Sequence, residues 1–347
     1  MDVFCVIPFH CYETDAQSLR NIGCCRWPRG TSINDVQYSI KSGTRHPSCE
    51  TCWKAEDSGI KSERQIHNST MDWLLDKDIE QIKQDALKGN REKYMIKLYT
   101  SNLCNGLCVT CGPEASTAWQ KKENQNITYM TQSIEDAGIN WSKVMYLSLV
   151  GGEPLLEKQN WQLLHNLAQQ NYTDIFVTVV TNASNNLDQS QIELLQMFPK
   201  LNLCVSIDGT EKIYEYMRYP IKWEEFTDNL KNLQKVTDNI SASVMISNIN
   251  IRFIDQTLQW LDNNNIPYLA KSIVEPEYYA PSAMSQEMIA EVLNKNPKHA
   301  LYYLGDADSL WADSYLLEFA KQDIARQDQL KDIDIENYLG DWGSFFK

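Results

Sequence analysis

Cys104, Cys108 and Cys111 stand at C-x3-C-x2-C spacing within "NLCNGLCVTCG", residues 102 to 112. Thiolates at such short spacing are soft ligands that suit zinc or iron-sulfur chemistry. Four of them would close a tetrahedral zinc site or complete a conventional iron-sulfur cube; three leave one metal position free for a ligand that is not protein. A second stretch, "LSLVGGEPLL", carries Gly151, Gly152, Glu153 and Pro154. Paired glycines let backbone approach a ligand closely, and a neighbouring carboxylate supplies an acceptor. Read alone, the same four residues also describe a plain turn at a strand end. The other cysteines fall into a group at 5, 11, 24, 25, 49 and 52, with Cys204 by itself. In a reducing compartment, ten cysteines grouped in this way indicate metal ligation rather than disulfides.

Both stretches follow runs that read as β-strands. The candidate strands are 94 to 100, 144 to 150, 175 to 181, 201 to 207, 240 to 247 and 266 to 274. Between them Trp161, Leu164 and Leu167, then Phe226, Leu230 and Leu233, then Ile254, Leu258 and Leu261 recur at the spacing of one helix face. Strands alternating with amphipathic helices predict an α/β fold with a parallel sheet, whose ligand sites lie at the carboxyl ends of the strands. Cys104 follows the first of these strands and Gly151 ends the second. Thr181 and Asn182 end the third, Ser206 and Asp208 the fourth, with Arg218 beyond, and Asn248 the fifth. Asp208 could equally cap the turn made with Gly209, since Asp-Gly is a common turn pair.

The chain has 347 residues and a net charge of −14, from 46 acids and 32 bases. That balance sets nucleic acid and anionic membranes aside as partners, because both draw on a basic surface. No apolar run approaches the ~20 residues of a membrane helix, and the N-terminus lacks a basic, cleavable leader, so a cytoplasmic location is expected. Residues 1 to 68 hold six cysteines among short segments and turns, and 69 to 92 read as one linking helix. Residues 93 to 276 carry the strands, and 277 to 347 form a largely helical extension.

The C-x3-C-x2-C loop after the first strand, followed one β/α unit later by GGEP, resembles the radical S-adenosylmethionine superfamily. The resemblance implies a partial (β/α)6 TIM-like barrel in which Cys104, Cys108 and Cys111 hold a [4Fe-4S] cluster. The amino and carboxylate groups of S-adenosylmethionine would chelate its open iron. It further implies that Gly151, Gly152, Glu153, Pro154, Thr181, Asn182, Ser206, Asp208, Arg218 and Asn248 contact that cofactor, with Glu153 near its amino group and the Arg218 fork on its carboxylate. Family members usually carry an aromatic residue before the third cysteine, where this chain has Thr110, and the fifth strand lacks a clear glycine-rich motif. The N-terminal cysteines resemble a twitch module, the shorter relative of the SPASM domain. In this likeness Cys5, Cys24, Cys49 and Cys52 ligate an auxiliary [4Fe-4S] cluster, with Cys25 as the alternative to Cys24. Zinc fits the same spacing.

The expected activity is reductive cleavage of S-adenosylmethionine to a 5′-deoxyadenosyl radical, which takes hydrogen from a peptide or protein. The electron would come from an external donor such as flavodoxin or ferredoxin. Dehydrogenation or rearrangement of a small metabolite or sugar is the alternative reaction, and a non-catalytic iron-sulfur or zinc scaffold the alternative class.

Overall fold

The computed structural model describes every residue except 1, 15–20, 25, 29, 58, 60, 91–92, 128–133, 135–137, 274 and 296–313. Cys25 and part of the helical stretch expected after 286 therefore lie outside the described residues. Among the described residues the strands are β1 (Cys11–Glu13), β2 (Tyr94–Tyr99), β3 (Val144–Val150), β4 (Phe176–Thr181), β5 (Leu201–Ser206), β6 (Ile240–Ile246) and β7 (Tyr268–Ser272). Their order in the sheet is their order in the chain, and the recorded pairings are parallel. This α/β topology is that of a partial (β/α) barrel. Strands β2 to β7 fall where the apolar runs predict them, because a parallel strand covered on both faces is written as a nearly continuous aliphatic run. Strand β1 is additional. Its three residues carry no readable alternation, yet Cys11, Tyr12 and Glu13 pair with Met95, Ile96 and Lys97.

The chain divides into two compact units. The first comprises residues 1–101, 129–179 and 194–201. Its core joins Phe4, Val6 and Phe9 to Val36, Ile40, Met71, Ile82 and Met95, so the cysteine-rich N-terminal segment shares apolar packing with β2. The single linking helix expected over 69 to 92 is two helices, Glu63–Leu75 and Ile79–Leu87. Asp76 takes a left-handed conformation at the end of the first, and the Asp78 carboxylate caps the second by accepting from Glu80 N–H. In the helix Lys158–Gln169, Leu163, Leu164 and Leu167 are buried, whereas Trp161 is half-buried and donates its indole N–H to Leu155 O at 3.0 Å.

The second unit comprises residues 102–128, 180–193 and 202–347. Its helices Trp223–Leu233 and Ile254–Asn263 bury Phe226, Leu230, Leu233, Leu258 and Leu261 as the spacing predicts. Around them Tyr214, Trp223, Phe226 and Trp260 form an aromatic cluster. The C-terminal tail returns to the end of β6, where the Trp342 indole donates to Ile249 O at 2.8 Å. Among the described residues no helix is long and apolar enough to cross a membrane.

Candidate functional site

The three-cysteine loop lies in the second unit and is held by its backbone. Leu107 N–H donates to Tyr219 O at 2.6 Å and Val109 N–H to Met217 O at 3.0 Å. The indole of buried Trp119 donates to Cys108 O at 3.1 Å, the Gln327 amide to Val109 O at 2.9 Å, and the Ser116 hydroxyl to Gly106 O at 2.7 Å. With these polar groups satisfied, the irregular segment can hold one shape without helix or sheet. Cys108 is buried, Cys104 half-buried and Cys111 exposed. A side chain at Gly106 would bring a Cβ to 3.2 Å from Cys108 Sγ and 3.6 Å from Cys104 Sγ, so it would crowd the first of these thiols. The Cys108 thiol is drawn down to about 6, first by its hydrogen bond with Cys111, against burial and with help from Arg218. The same hydrogen bond pushes Cys111 up.

Arg218 is committed more fully than its expected cofactor role implies. One terminal nitrogen pairs with Asp208 Oδ2 at 2.7 Å and the other faces Cys108 Sγ at 3.9 Å, while buried Nε has no acceptor among the described residues. Burial works against this charge, but Asp208 and then the Cys108 thiol hold the proton more strongly, so its pKa lies above the usual guanidinium range. Asp208 is 2% exposed and its other oxygen accepts from Met245 N–H at 2.9 Å. The Asn250 amide donates to Asp208 O and Met245 O, both at 2.8 Å, and so fixes the ends of β5 and β6 against each other. Asn182 donates to Asn105 Oδ1 at 3.0 Å, tying the end of β4 to the cysteine loop. Thr181 turns its hydroxyl to Ala183 N–H, and Ser206 is buried at the end of β5. Asn248 is fully buried; its amide donates to Tyr278 O at 2.8 Å and its Oδ1 has no partner among the described residues.

Gly151, Gly152, Glu153 and Pro154 belong to the first unit. Gly151 has φ +136, and a Cβ there would lie 2.5 Å from Ser101 O. Gly152 N–H donates to the same oxygen at 3.0 Å, and Glu153, 1% exposed, accepts from Leu155 N–H at 3.1 Å. Gly151→Ala should therefore cost about 1–3 kcal/mol through backbone strain alone, read as a lowered urea midpoint. An unchanged midpoint would mean that this turn relaxes freely.

In the same unit Cys5, Cys24, Cys49 and Cys52 line one pocket together with Trp27 and Arg64. Arg64 grips Glu56 through two nitrogens, at 2.9 and 2.6 Å, and donates to Phe4 O at 2.6 Å. Burial pushes Cys49 up to about 11 and raises Cys5 and Cys52 as well, so these thiols are neutral until something displaces their protons. Cys11 lies in β1 and Cys204 in β5, and neither is part of that lining. Among the described residues no three His, Cys, Asp or Glu side chains are gathered around a single-ion position.

Gly106, Asn105, Trp119, Asn250, Gln327 and Lys331 were not singled out by spacing. Gly106 could have been noticed between two thiols. Gln327 could not, since it reaches the loop from 218 residues away along the chain.

Residues 98–261 match the model of the Radical SAM superfamily. The match takes in just under half of the chain, and that stretch is similar to a radical SAM domain. No curated protein matches the sequence. Similar solved structures include anSMEcpe with bound AdoMet, at 14% identity over 57% of this chain and 58% of that one, with a TM-score of 0.43. SuiB of Streptococcus suis bound to S-adenosylmethionine matches at 13% identity over 82% of this chain and 61% of that one, with a TM-score of 0.45. TYW1 with a lysine-pyruvate adduct bound matches at 13% identity over 57% and 71%, with a TM-score of 0.37. The chain spans less than two thirds of the length of anSMEcpe and SuiB.

Proposed function

We propose that this enzyme cleaves S-adenosylmethionine reductively at a [4Fe-4S] cluster held by Cys104, Cys108 and Cys111, and that the resulting 5′-deoxyadenosyl radical abstracts hydrogen from a peptide or protein. The observation that carries the reading is the loop itself: three thiols on a backbone-locked segment, with Gly106 keeping the space beside two of them clear. The donor set fits the cluster, since three cysteines leave one iron for the cofactor. When bound, the cluster supplies the electron that breaks the cofactor's sulfonium bond. The protein's part is to bind and orient. In this proposal Glu153 is the acceptor for the cofactor's ammonium, Asn248 Oδ1, which has no partner among the described residues, is an acceptor for an N–H group, and Arg218 supplies a positive wall beside Cys108. Thr181, Asn182, Ser206 and Asp208 shape the strand ends around that position.

Residues 1–68 are proposed as a twitch-like module whose Cys5, Cys24, Cys49 and Cys52 take an auxiliary [4Fe-4S] cluster. Their sharing of one pocket supports this assignment. Zinc at the same four thiols is the second reading. A flavodoxin or ferredoxin in the cytoplasm is the proposed electron donor. The peptide assignment has a direction for experiment in SuiB solved with its precursor peptide SuiA and anSMEcpe solved with Cp18Cys peptide.

Metal analysis tests both halves. Anaerobically reconstituted protein should hold about eight irons and about eight sulfides, and a variant with Cys104, Cys108 and Cys111 all changed to Ala about four of each. S-adenosylmethionine should alter the EPR spectrum of the reduced wild type and leave that of the variant unchanged. About four irons with one zinc in the wild type would remove the auxiliary cluster; a spectrum indifferent to S-adenosylmethionine would remove the catalytic one.

A further inference from the structure

Lys331 closes the helix Ser314–Lys331 and is only 3% exposed. Its ammonium donates to Gln327 Oε1 at 2.9 Å and lies 5.1, 5.8 and 5.9 Å from the ring centroids of Trp119, Tyr216 and Tyr219. Among the described residues the neutral Gln327 amide is its recorded side-chain partner, and no carboxylate stands within ion-pair distance of it. A buried cation is costly unless something negative answers it, and three aromatic faces return only part of the lost hydration. Burial accordingly lowers this ammonium to about 8, while the negative groups around it, the Cys108 thiol first and then Asp328 and Asp323, hold its proton.

The surroundings show which negative site it serves. Asp328 accepts from Tyr216 Oη at 2.9 Å and Ile335 N–H at 2.7 Å. Asp323 accepts from Arg326, from Tyr279 Oη at 2.7 Å and from Gln327 at 3.0 Å. Both carboxylates are therefore held by other donors. The remaining acidic neighbour is the Cys108 thiol, and Lys331 is linked twice to the backbone of the loop that carries it. Gln327 takes the ammonium on Oε1 and donates through Nε2 to Val109 O, while Trp119 lies against the ammonium and donates to Cys108 O. Arg218 also faces Cys108, but it is ion-paired with Asp208. Lys331 is thus a buried cation beside this loop that, among the described residues, has no carboxylate in direct ion-pair contact.

We propose that Lys331 is a positioning residue for the incoming electron: its buried charge raises the reduction potential of the cluster at Cys104, Cys108 and Cys111. This inference rests on the cluster reading above. One added electron makes the site one unit more negative, and a fixed cation in weakly polarisable surroundings stabilises that state over the oxidised one. Arginine at the position would keep the charge, whereas methionine would keep the apolar stem and remove it.

The test is an EPR-monitored redox titration of the full chain, following the signal that S-adenosylmethionine perturbs so that any second cluster does not enter. Lys331→Met should shift the midpoint to more negative potential at unchanged iron content, and Lys331→Arg should restore it towards the wild-type value. An unshifted midpoint in an iron-replete Lys331→Met protein would overturn the inference, as would an equal shift in Lys331→Arg, which would indicate packing. If Lys331→Met does not load iron, Lys331→Gln is read by the same criteria. A wild type with a cluster that ignores S-adenosylmethionine would instead overturn the cluster reading beneath the inference.

Discussion

Arg218→Ala should lower the stability of the protein by about 3–5 kcal/mol, the usual cost of removing one partner from a buried ion pair. Asp208 makes the loss large. At 2% exposure it cannot recover hydration, and after the change its Oδ2 would face no charge, with Met245 N–H remaining on the other oxygen. Adding Asp208→Asn should recover part of the loss, because a neutral amide is cheaper to leave in that position, and the two changes should be clearly non-additive. Urea denaturation of the two single variants and the double variant measures this directly. An Arg218→Ala midpoint equal to that of the wild type would show that the pair contributes nothing and that the guanidinium is held for the cofactor alone. Cofactor affinity should fall as well, since the same change removes the positive wall beside Cys108.

Much of the sheet was legible because its physics leaves a mark in sequence. Strands β2 to β7 are written as aliphatic runs, and Phe226, Leu230 and Leu233 repeat at helix spacing because one face must be buried. Strand β1 was not legible: three residues are too few for a pattern, and its place depends on β2, more than eighty residues later, as the 85-residue separation of the bond from Tyr99 N–H to Thr14 Oγ1 illustrates. The break between the two helices at Asp76 was present in the sequence as an Asp-Lys-Asp capping signal, which the run of helix formers on either side obscured.

At the site, the thiol spacing could be read because the ligands come from one loop, and Gly151 could be read because its backbone conformation excludes most residues. That Arg218 spends one nitrogen on Asp208 could not be read, since either a protein or a cofactor carboxylate satisfies a guanidinium. Gln327 and Lys331 were hidden for another reason. They sit on a helix that reads as an ordinary amphipathic surface element, and only tertiary structure brings it to the loop.

The largest effect on activity is expected at Cys108, the buried thiol of the three and the one that Trp119 and Arg218 both reach, with Gln327 holding the next residue, Val109. Cys108→Ala removes one of three protein ligands and should leave the loop unable to hold a complete cluster. The most direct measurement is the release of 5′-deoxyadenosine from S-adenosylmethionine under anaerobic conditions with dithionite. The wild type should release it slowly even without substrate, because cleavage needs only the reduced cluster and the bound sulfonium. The Cys108→Ala variant should release none. A wild type with its cluster shown by spectroscopy to be present and reduced, and with S-adenosylmethionine bound, that still produced no 5′-deoxyadenosine, alone or with candidate peptides added, would contradict the account.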